Sequence, residues 1–235
     1  MKITAIIAAA GQGSRMGGKG KQFIELEGKP IIGWTISVFE ESDPVGEIVL
    51  VLNKDDLEMG RELIKSQNFK KVTNVVPGGK ERQDSVWNGL RTLKSDTDMV
   101  VIHDGARPLV TKELISSSIA EAKVHGAAIV ATPLADTVKS SKENGFVLDT
   151  LERSNLWSVQ TPQTFKYKVI FEAYERAQKI GYHATDDAKL VERLGLPVKI
   201  VMGSCENIKI TTPEDLDIAK CILKNRAQKK GVRLK

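Results

Sequence analysis

The sequence predicts an α/β fold, a mostly parallel twisted sheet with helices on both faces and one separate β-hairpin. Three observations predict it. Short apolar runs recur along the 235 residues with helical patterns between most of them, the alternation that builds parallel sheets. The first run, residues 3–8, is small or branched throughout and has no polar alternation, as expected of a strand buried on both faces. One polar segment breaks the rhythm, and it centres on Asn144-Gly145, a strong short hairpin signal.

Strands are expected at 3–8, 47–53, 72–76, 99–103, 127–132 and 198–202. Pro30, whose fixed φ suits a first helical turn, opens a helix to about residue 41, and 55–66 reads as a second. A third helix, 81–93, follows the turn Gly78-Gly79, so that a glycine turn meets a positive helix N-terminus. Thr111 caps a fourth helix that ends near His125 and Gly126. The runs 136–141 and 146–153 flank the hairpin turn; they are too polar to form a core, and an isolated ribbon is marginal in water, so the hairpin is expected to pack on something, such as another subunit. Thr161, Pro162 and Gln163 read as a polar turn. Asn207, Ile208 and Lys209 are expected to end the last strand before Thr212 and Pro213 start a C-terminal helix.

Composition narrows the function classes. Hydrophobic content of 41% and charged content of 28% are ordinary for a soluble protein, no apolar run approaches the roughly 18 residues of a membrane span, and nothing at the N-terminus resembles a signal peptide. The expected compartment is the cytoplasm. Cys205 and Cys221 are too few for a disulfide framework and read as buried or harmless thiols, and His103, His125 and His183 lack ligand spacing. The net charge of +5 is concentrated in the tail 224–235, expected to be solvated and partly frayed, and aromatics are only 5%, so nucleic-acid binding is not expected.

The chemistry begins directly after the first strand. Gly11, Gly13, Arg15, Gly17, Gly18, Lys19 and Lys21 make an acid-free loop whose glycines admit close backbone approach and whose cations suit an oxyanion. It is not a P-loop, because Lys19 is followed by Gly20 where a magnesium-binding hydroxyl is needed. It also misses the dinucleotide fingerprint, whose third glycine would fall at Met16 and whose acid at the end of the second strand is replaced by Asn53, which argues against a nicotinamide oxidoreductase. Further on, Asp104 and Arg107 stand together where a buried strand opens. Asp104 is the best candidate ligand for magnesium or a substrate hydroxyl, with a structural ion pair to Arg107 as the plain alternative. Lys209 lies between Ile208 and Ile210, an unexpected place for a purely solvated lysine.

These segments, taken in order as AAAGQGSRMG, KQF, GGKERQDSV, HDGARPL, DTVK, LERSNLWSVQTPQTF, TDD and ENIKITTPEDL, resemble the 2-C-methyl-D-erythritol 4-phosphate cytidylyltransferases over nearly the whole chain. The resemblance implies a Rossmann-like nucleotidyltransferase fold, residues 1–235 as one domain, and a projecting β-arm at 136–157 that joins a homodimer. It also implies transfer of CMP from CTP to a polyol phosphate with release of pyrophosphate, assisted by Mg2+. Carried over motif by motif, Arg15 and Lys21 would hold the CTP phosphates and Lys209 would sit beside the α-phosphate. Ala9, Ala10, Gly11, Gly13, Gly79 and Ser85 would bind the nucleotide. Asp104 and Arg107 would face the acceptor, and Thr137 and Arg153 would reach its phosphate from the neighbouring subunit. One departure stands out: Glu206 occupies a position where the family often has Asp. A ribitol 5-phosphate cytidylyltransferase shares the loop and the HDGARP-type turn; the LERSNLW, TPQTF and DTVK segments favour methylerythritol phosphate.

Overall fold

The computed structural model describes residues 1–11 and 20–229. β1 (Ile3–Ala9) lacks a polar face because both of its sides are covered: Ile3, Ala5, Ile7 and Ala9 enter one core and Ile6 the other. Short β2 (Glu25–Leu26) and β3 (Lys29–Pro30) pair antiparallel and lead into α1 (Ile31–Glu40). Next come β4 (Glu47–Leu52), α2 (Leu57–Ser66), β5 (Val72–Pro77) and α3 (Arg82–Leu90). β6 (Met99–Asp104), α4 (Lys112–His125) and β7 (Ala127–Pro133) complete the regular alternation. As expected, Thr111 caps α4 by accepting the Leu114 N–H at 3.3 Å, and Gly126 ends it with φ 89°. β8 (Lys139–Ser141) and β9 (Val147–Thr150) form the hairpin, followed by β10 (Trp157–Lys166), α5 (Tyr167–Lys179), α6 (Asp187–Glu192), β11 (Lys199–Met202) and α7 (Pro213–Lys229).

The main sheet has seven strands in the order β11-β7-β10-β6-β1-β4-β5. All neighbours are parallel except β10, which runs antiparallel to both β6 and β7. One face buries Ile32, Ile36 and Phe39 of α1, Leu63 of α2 and Ile115 and Ile119 of α4. The opposite face buries Val86 and Leu90 of α3, Ile170 and Tyr174 of α5 and Leu190 and Val191 of α6. α7 closes a smaller cluster with Leu26, Ile31 and Leu109. No described helix is long and apolar enough to cross a membrane.

Three expectations are corrected and one gap is filled. Thr161, Pro162 and Gln163 are not a turn but the middle of β10, between two other strands. Its polar residues are tolerated there because each is hydrogen-bonded, Thr164 to Ser118 at 2.9 Å and Gln163 to Asp186 at 2.9 Å, and the cis peptide Thr161–Pro162 sits where the register slips. The region between β10 and β11 holds two helices that no expectation covered, although Ile170, Ala173, Tyr174 and Ala177 recur at helical spacing and are all buried. β11 ends at Met202, so Asn207, Ile208 and Lys209 lie in an irregular segment after it. Finally, the basic tail is helical to Lys229, with Lys224 at 3.5 Å from Glu27 and Arg226 at 2.8 Å from Glu206; residues 230–235 lie outside the described residues. Cys205 and Cys221 are exposed.

The turn after β6 is sterically closed. A Cβ on Gly105 would lie 2.7 Å from the Ala9 Cβ and 2.7 Å from the Ile32 Cδ1, while the Gly105 carbonyl accepts the Thr35 hydroxyl at 2.9 Å. Gly105→Ala should therefore destabilise the fold by about 1–3 kcal/mol in urea unfolding; an unchanged midpoint would contradict this packing.

Candidate active site

The carboxyl ends of β1, β4, β5 and β6 surround a cavity of about 490 Å3. β1 pairs in parallel with β4 on one side and β6 on the other, so the cavity opens where the sheet is wound outward in both directions, the usual place for a ligand in such folds. Ala8, Ala9, Ala10 and Gly11 form one wall, and Gly78, Gly79 and Lys80 of the β5–α3 turn face it together with Ser85 in the first turns of α3. Neither glycine of that turn has room for a side chain: a Cβ on Gly78 would fall 2.2 Å from the Ala10 Cβ, and one on Gly79 would fall 2.3 Å from the Asp84 Cβ. The start of α3 is less electropositive than expected, because Glu81 and Asp84 form a reciprocal capping box and the Gly79 N–H donates to the Ser85 hydroxyl at 3.1 Å.

Cations arrive from both ends of the chain. Lys21 lines the cavity at the start of a short helical turn, Lys21–Phe23, and its ammonium donates to the Ile210 carbonyl at 3.3 Å. Lys209 lines it from the segment after β11. That segment is irregular but fastened: the Asn207 amide donates to Gln160 at 3.1 Å and to the Thr161 carbonyl at 2.9 Å, and the Ile210 N–H donates to the Ala106 carbonyl at 2.8 Å. Lys209 is thus delivered to the pocket by backbone pinned on each side.

Asp104, at the end of β6, is where these charges meet. Lys209 Nζ lies 2.7 Å from its Oδ2 and Arg82 Nε 2.9 Å from its Oδ1. Burial pushes its carboxyl up, but Arg82 and Lys209 overcome that and hold it well below the usual carboxylate range. Arg82 is the functional candidate that sequence reading passed over. It was one cation within GGKERQDSV, and only the fold shows that it bridges Asp104 and the fully buried Asp187.

Beneath Asp104, His103 is fully buried in a chain of hydrogen bonds with one consistent direction. The Arg107 carbonyl, 3.2 Å away, can only accept, so Nε2 carries the proton; Nδ1 then accepts from the Thr161 hydroxyl at 3.0 Å, whose oxygen accepts the Asp104 N–H at 3.0 Å. Burial drives the His103 pKa down to about 4. This imidazole is neutral and turned away from the cavity.

Comparison with known proteins bears directly on this arrangement. The family model for 2-C-methyl-D-erythritol 4-phosphate cytidylyltransferase matches residues 3–225. A protein of that name from Alkaliphilus oremlandii is 52% identical over 229 residues, covering 97% of both chains. One from Clostridioides difficile is 50% identical over 222 residues, 94% of this chain and 93% of its own length. The solved 4-diphosphocytidyl-2C-methyl-D-erythritol synthase from Anaerococcus prevotii matches with a TM-score of 0.83 at 33% identity, covering 95% of this chain and 98% of that one. The chain belongs to the 2-C-methyl-D-erythritol 4-phosphate cytidylyltransferase family.

The cytidylyltransferase residues expected from sequence divide into three groups. Ala9, Ala10, Gly11, Lys21, Gly79, Ser85, Asp104 and Lys209 all line the one cavity. Gly13 and Arg15 lie outside the described residues. Arg107, Thr137 and Arg153 do not line the cavity. Arg107 is mostly buried and donates to the Asn207 carbonyl at 2.7 Å, which makes it an anchor for the segment carrying Lys209; its nearest approach to Asp104 is 4.0 Å. Thr137 and Arg153 are exposed at the hairpin, where Arg153 donates to the Ala135 carbonyl. Glu206 pairs with Arg226 at 2.8 Å and points to α7.

The described residues do not fit a magnesium ion held by the protein alone. They contain no group of three or more His, Cys, Asp or Glu placed to hold a metal. Both oxygens of Asp104 are engaged by cations, so a metal there would have to displace Lys209 or Arg82.

The His103 environment sets a pH signature. An unfolded imidazole titrates near about 6.5, so below that pH the unfolded state binds a proton that the folded state, at about 4, refuses; stability therefore falls as pH drops through this window. Between pH 7 and pH 5 the loss from this one group should be about 2 kcal/mol. Urea unfolding at the two pH values should show this loss in the wild type and not in His103→Asn, and equal losses in both would contradict a neutral buried His103.

Proposed function

We propose that this cavity transfers a cytidylyl group from CTP to 2-C-methyl-D-erythritol 4-phosphate and releases pyrophosphate. The observation that carries the reading is the convergence of Lys21 and Lys209, far apart in sequence, on one strand-end cavity beside a carboxylate, with the Lys21 ammonium bonded to the residue next to Lys209. Ala9, Ala10, Gly11, Gly79 and Ser85 supply close backbone and small side chains for the cytidine, together with Gly13. Lys21 and Arg15 hold the triphosphate, and Lys209 moves from Asp104 to the α-phosphate. Asp104 then accepts a hydroxyl of the acceptor.

The chemistry requires no general base. A phosphate monoester has its second pKa near about 6 and is largely dianionic at pH 7, so it attacks the α-phosphorus without prior proton removal. The new P–O bond forms as the bond to the β-phosphate bridging oxygen breaks, and the pyrophosphate leaves as an anion. The protein's task is to hold two anions in line and to neutralise the charge that builds between them. His103, neutral and facing the Arg107 carbonyl and Thr161, takes no part in proton transfer. Magnesium, which the resemblance implies, is supplied in this reading with the phosphate oxygens of CTP, which are hard ligands of the kind that ion prefers.

The hairpin fits a role between subunits. Phe146, Val147 and Leu148 are 71%, 61% and 62% exposed on a two-stranded ribbon that has little core of its own. In this proposal the ribbon joins a homodimer and carries Thr137 and Arg153 to the acceptor phosphate of the neighbouring subunit. Sedimentation of the double variant Phe146→Ser/Leu148→Ser should give a monomer where the wild type gives a dimer; a wild-type monomer, or an unaffected dimer, would rule this arm out as the joint.

Pyrophosphate release tests the reaction itself. Wild-type enzyme should release it with CTP and methylerythritol phosphate and not with ribitol 5-phosphate or the other nucleoside triphosphates. Lys21→Ala and Lys209→Ala should each lower kcat by about 10²- to 10³-fold, the usual effect of removing one preorganised charge. Near-normal turnover in either variant would refute the assignment.

A further inference from the structure

Arg82 is held from behind by groups that touch no cavity surface. Its Nη1 and Nη2 donate to the two oxygens of Asp187 at 3.0 and 2.8 Å, a fork-on-fork pair, which leaves Nε for Asp104. Asp187 is completely buried, and its Oδ1 also accepts the Tyr174 hydroxyl at 2.5 Å. The Tyr174 ring is equally buried and lies parallel to Trp87, 6.0 Å between centroids, on the same helix that carries Arg82. The start of α6, where Asp187 sits, and the loop that leads into it are pinned from two sides: Gln163 of β10 takes the Ala188 N–H at 3.1 Å, and Gln83 of α3 takes the Ala184 N–H of the loop at 2.8 Å. Each atom that orients the guanidinium is therefore itself fixed.

We infer that Tyr174 and Asp187 are positioning residues for acceptor recognition, acting through Arg82 to hold one oxygen of Asp104 and leave the other for the acceptor hydroxyl. The inference rests on the proposal that Asp104 faces the acceptor. With Oδ1 tied to Arg82 and Oδ2 tied to Lys209, departure of Lys209 toward a phosphate frees only Oδ2, and frees it in a fixed direction. Stability alone is a weak reason to keep this chain. Burying a carboxylate such as Asp187 carries a desolvation penalty that a single ion pair often fails to offset, and apolar replacements of buried pairs are frequently neutral or stabilising. What an apolar replacement could not do is set the plane of Arg82. Tyr174 is a dependable donor in this role, since burial and the neighbouring Asp187 raise its pKa well above the usual phenol value.

The test is a split between substrates. Michaelis constants for CTP and for methylerythritol phosphate are measured separately in Tyr174→Phe, Asp187→Asn and Asp104→Asn, with folded protein quantified by thermal unfolding. Losing one hydrogen bond in Tyr174→Phe should raise KM for the acceptor by about three- to tenfold, and losing the charge in Asp187→Asn by about tenfold or more, while KM for CTP stays within about twofold. If Asp187→Asn does not fold, Tyr174→Phe decides alone. An unchanged acceptor KM in folded Tyr174→Phe overturns the inference, as does a proportional rise for both substrates or a fall only in the fraction of active enzyme. Asp104→Asn separates the two levels: if it leaves the acceptor KM unchanged, the placement of Asp104 at the acceptor fails, whereas a rise there without one in Tyr174→Phe defeats only the positioning role.

Discussion

The constraint on which the rest of this structure depends is the placement of one carboxylate, Asp104, at the end of a buried strand. A lone ion in that position would cost far more than a small domain can spare, so it exists only because cations are brought to it. Much of the topology serves that delivery. α3 carries Arg82, the segment after β11 carries Lys209, and β10 fastens both sides through Thr161, Gln160 and Gln163. β10, the one antiparallel strand among the described strands of the main sheet, pairs with β6 and brings its polar middle beside the end of that strand, where the Thr161 hydroxyl accepts the Asp104 N–H.

The same constraint explains why the cavity holds cations without collapsing into a plain ion-pair cluster. Arg82 is committed to two carboxylates and Arg107 to a carbonyl, so neither can swing to a ligand without breaking buried bonds. Lys209 is different: its side chain is 39% exposed and its bond to Asp104 is a single contact on a flexible stem. Arginine provides the frame and lysine the exchangeable charge. A phosphate ligand would compete for the lysine and leave the frame intact.

Legibility in the sequence followed the length scale of the cause. The parallel strands were legible because burial on both faces leaves uniform apolar runs, and Thr111 and Gly126 marked α4 because caps act within a turn. The cavity-lining residues Ala9 to Gly11, Gly79, Ser85, Asp104 and Lys209 were legible through the motifs of a known family, although the strand end expected at Lys209 is an irregular segment. β10 was not, because Gln160, Thr161, Gln163 and Thr164 are buried by partners far off in the chain, Asn207, His103, Asp186 and Ser118, that no local pattern announces. Arg82 and Asp187 were hidden for the same reason, 105 residues apart and joined only by the fold. Arg107 was legible as a neighbour of Asp104, but its bond to the Asn207 carbonyl, which supports the backbone behind Lys209, spans 100 residues and shows only in the fold.

The central claim is that the protein positions and neutralises while the acceptor's own phosphate does the attacking, with no protein nucleophile in between. The stereochemistry at the α-phosphorus tests this most directly. With a single diastereomer of CTP carrying sulfur on the α-phosphorus, and the product's configuration read by phosphorus NMR, one in-line displacement predicts inversion. Retention would require an intervening nucleotidyl-protein and would contradict the account.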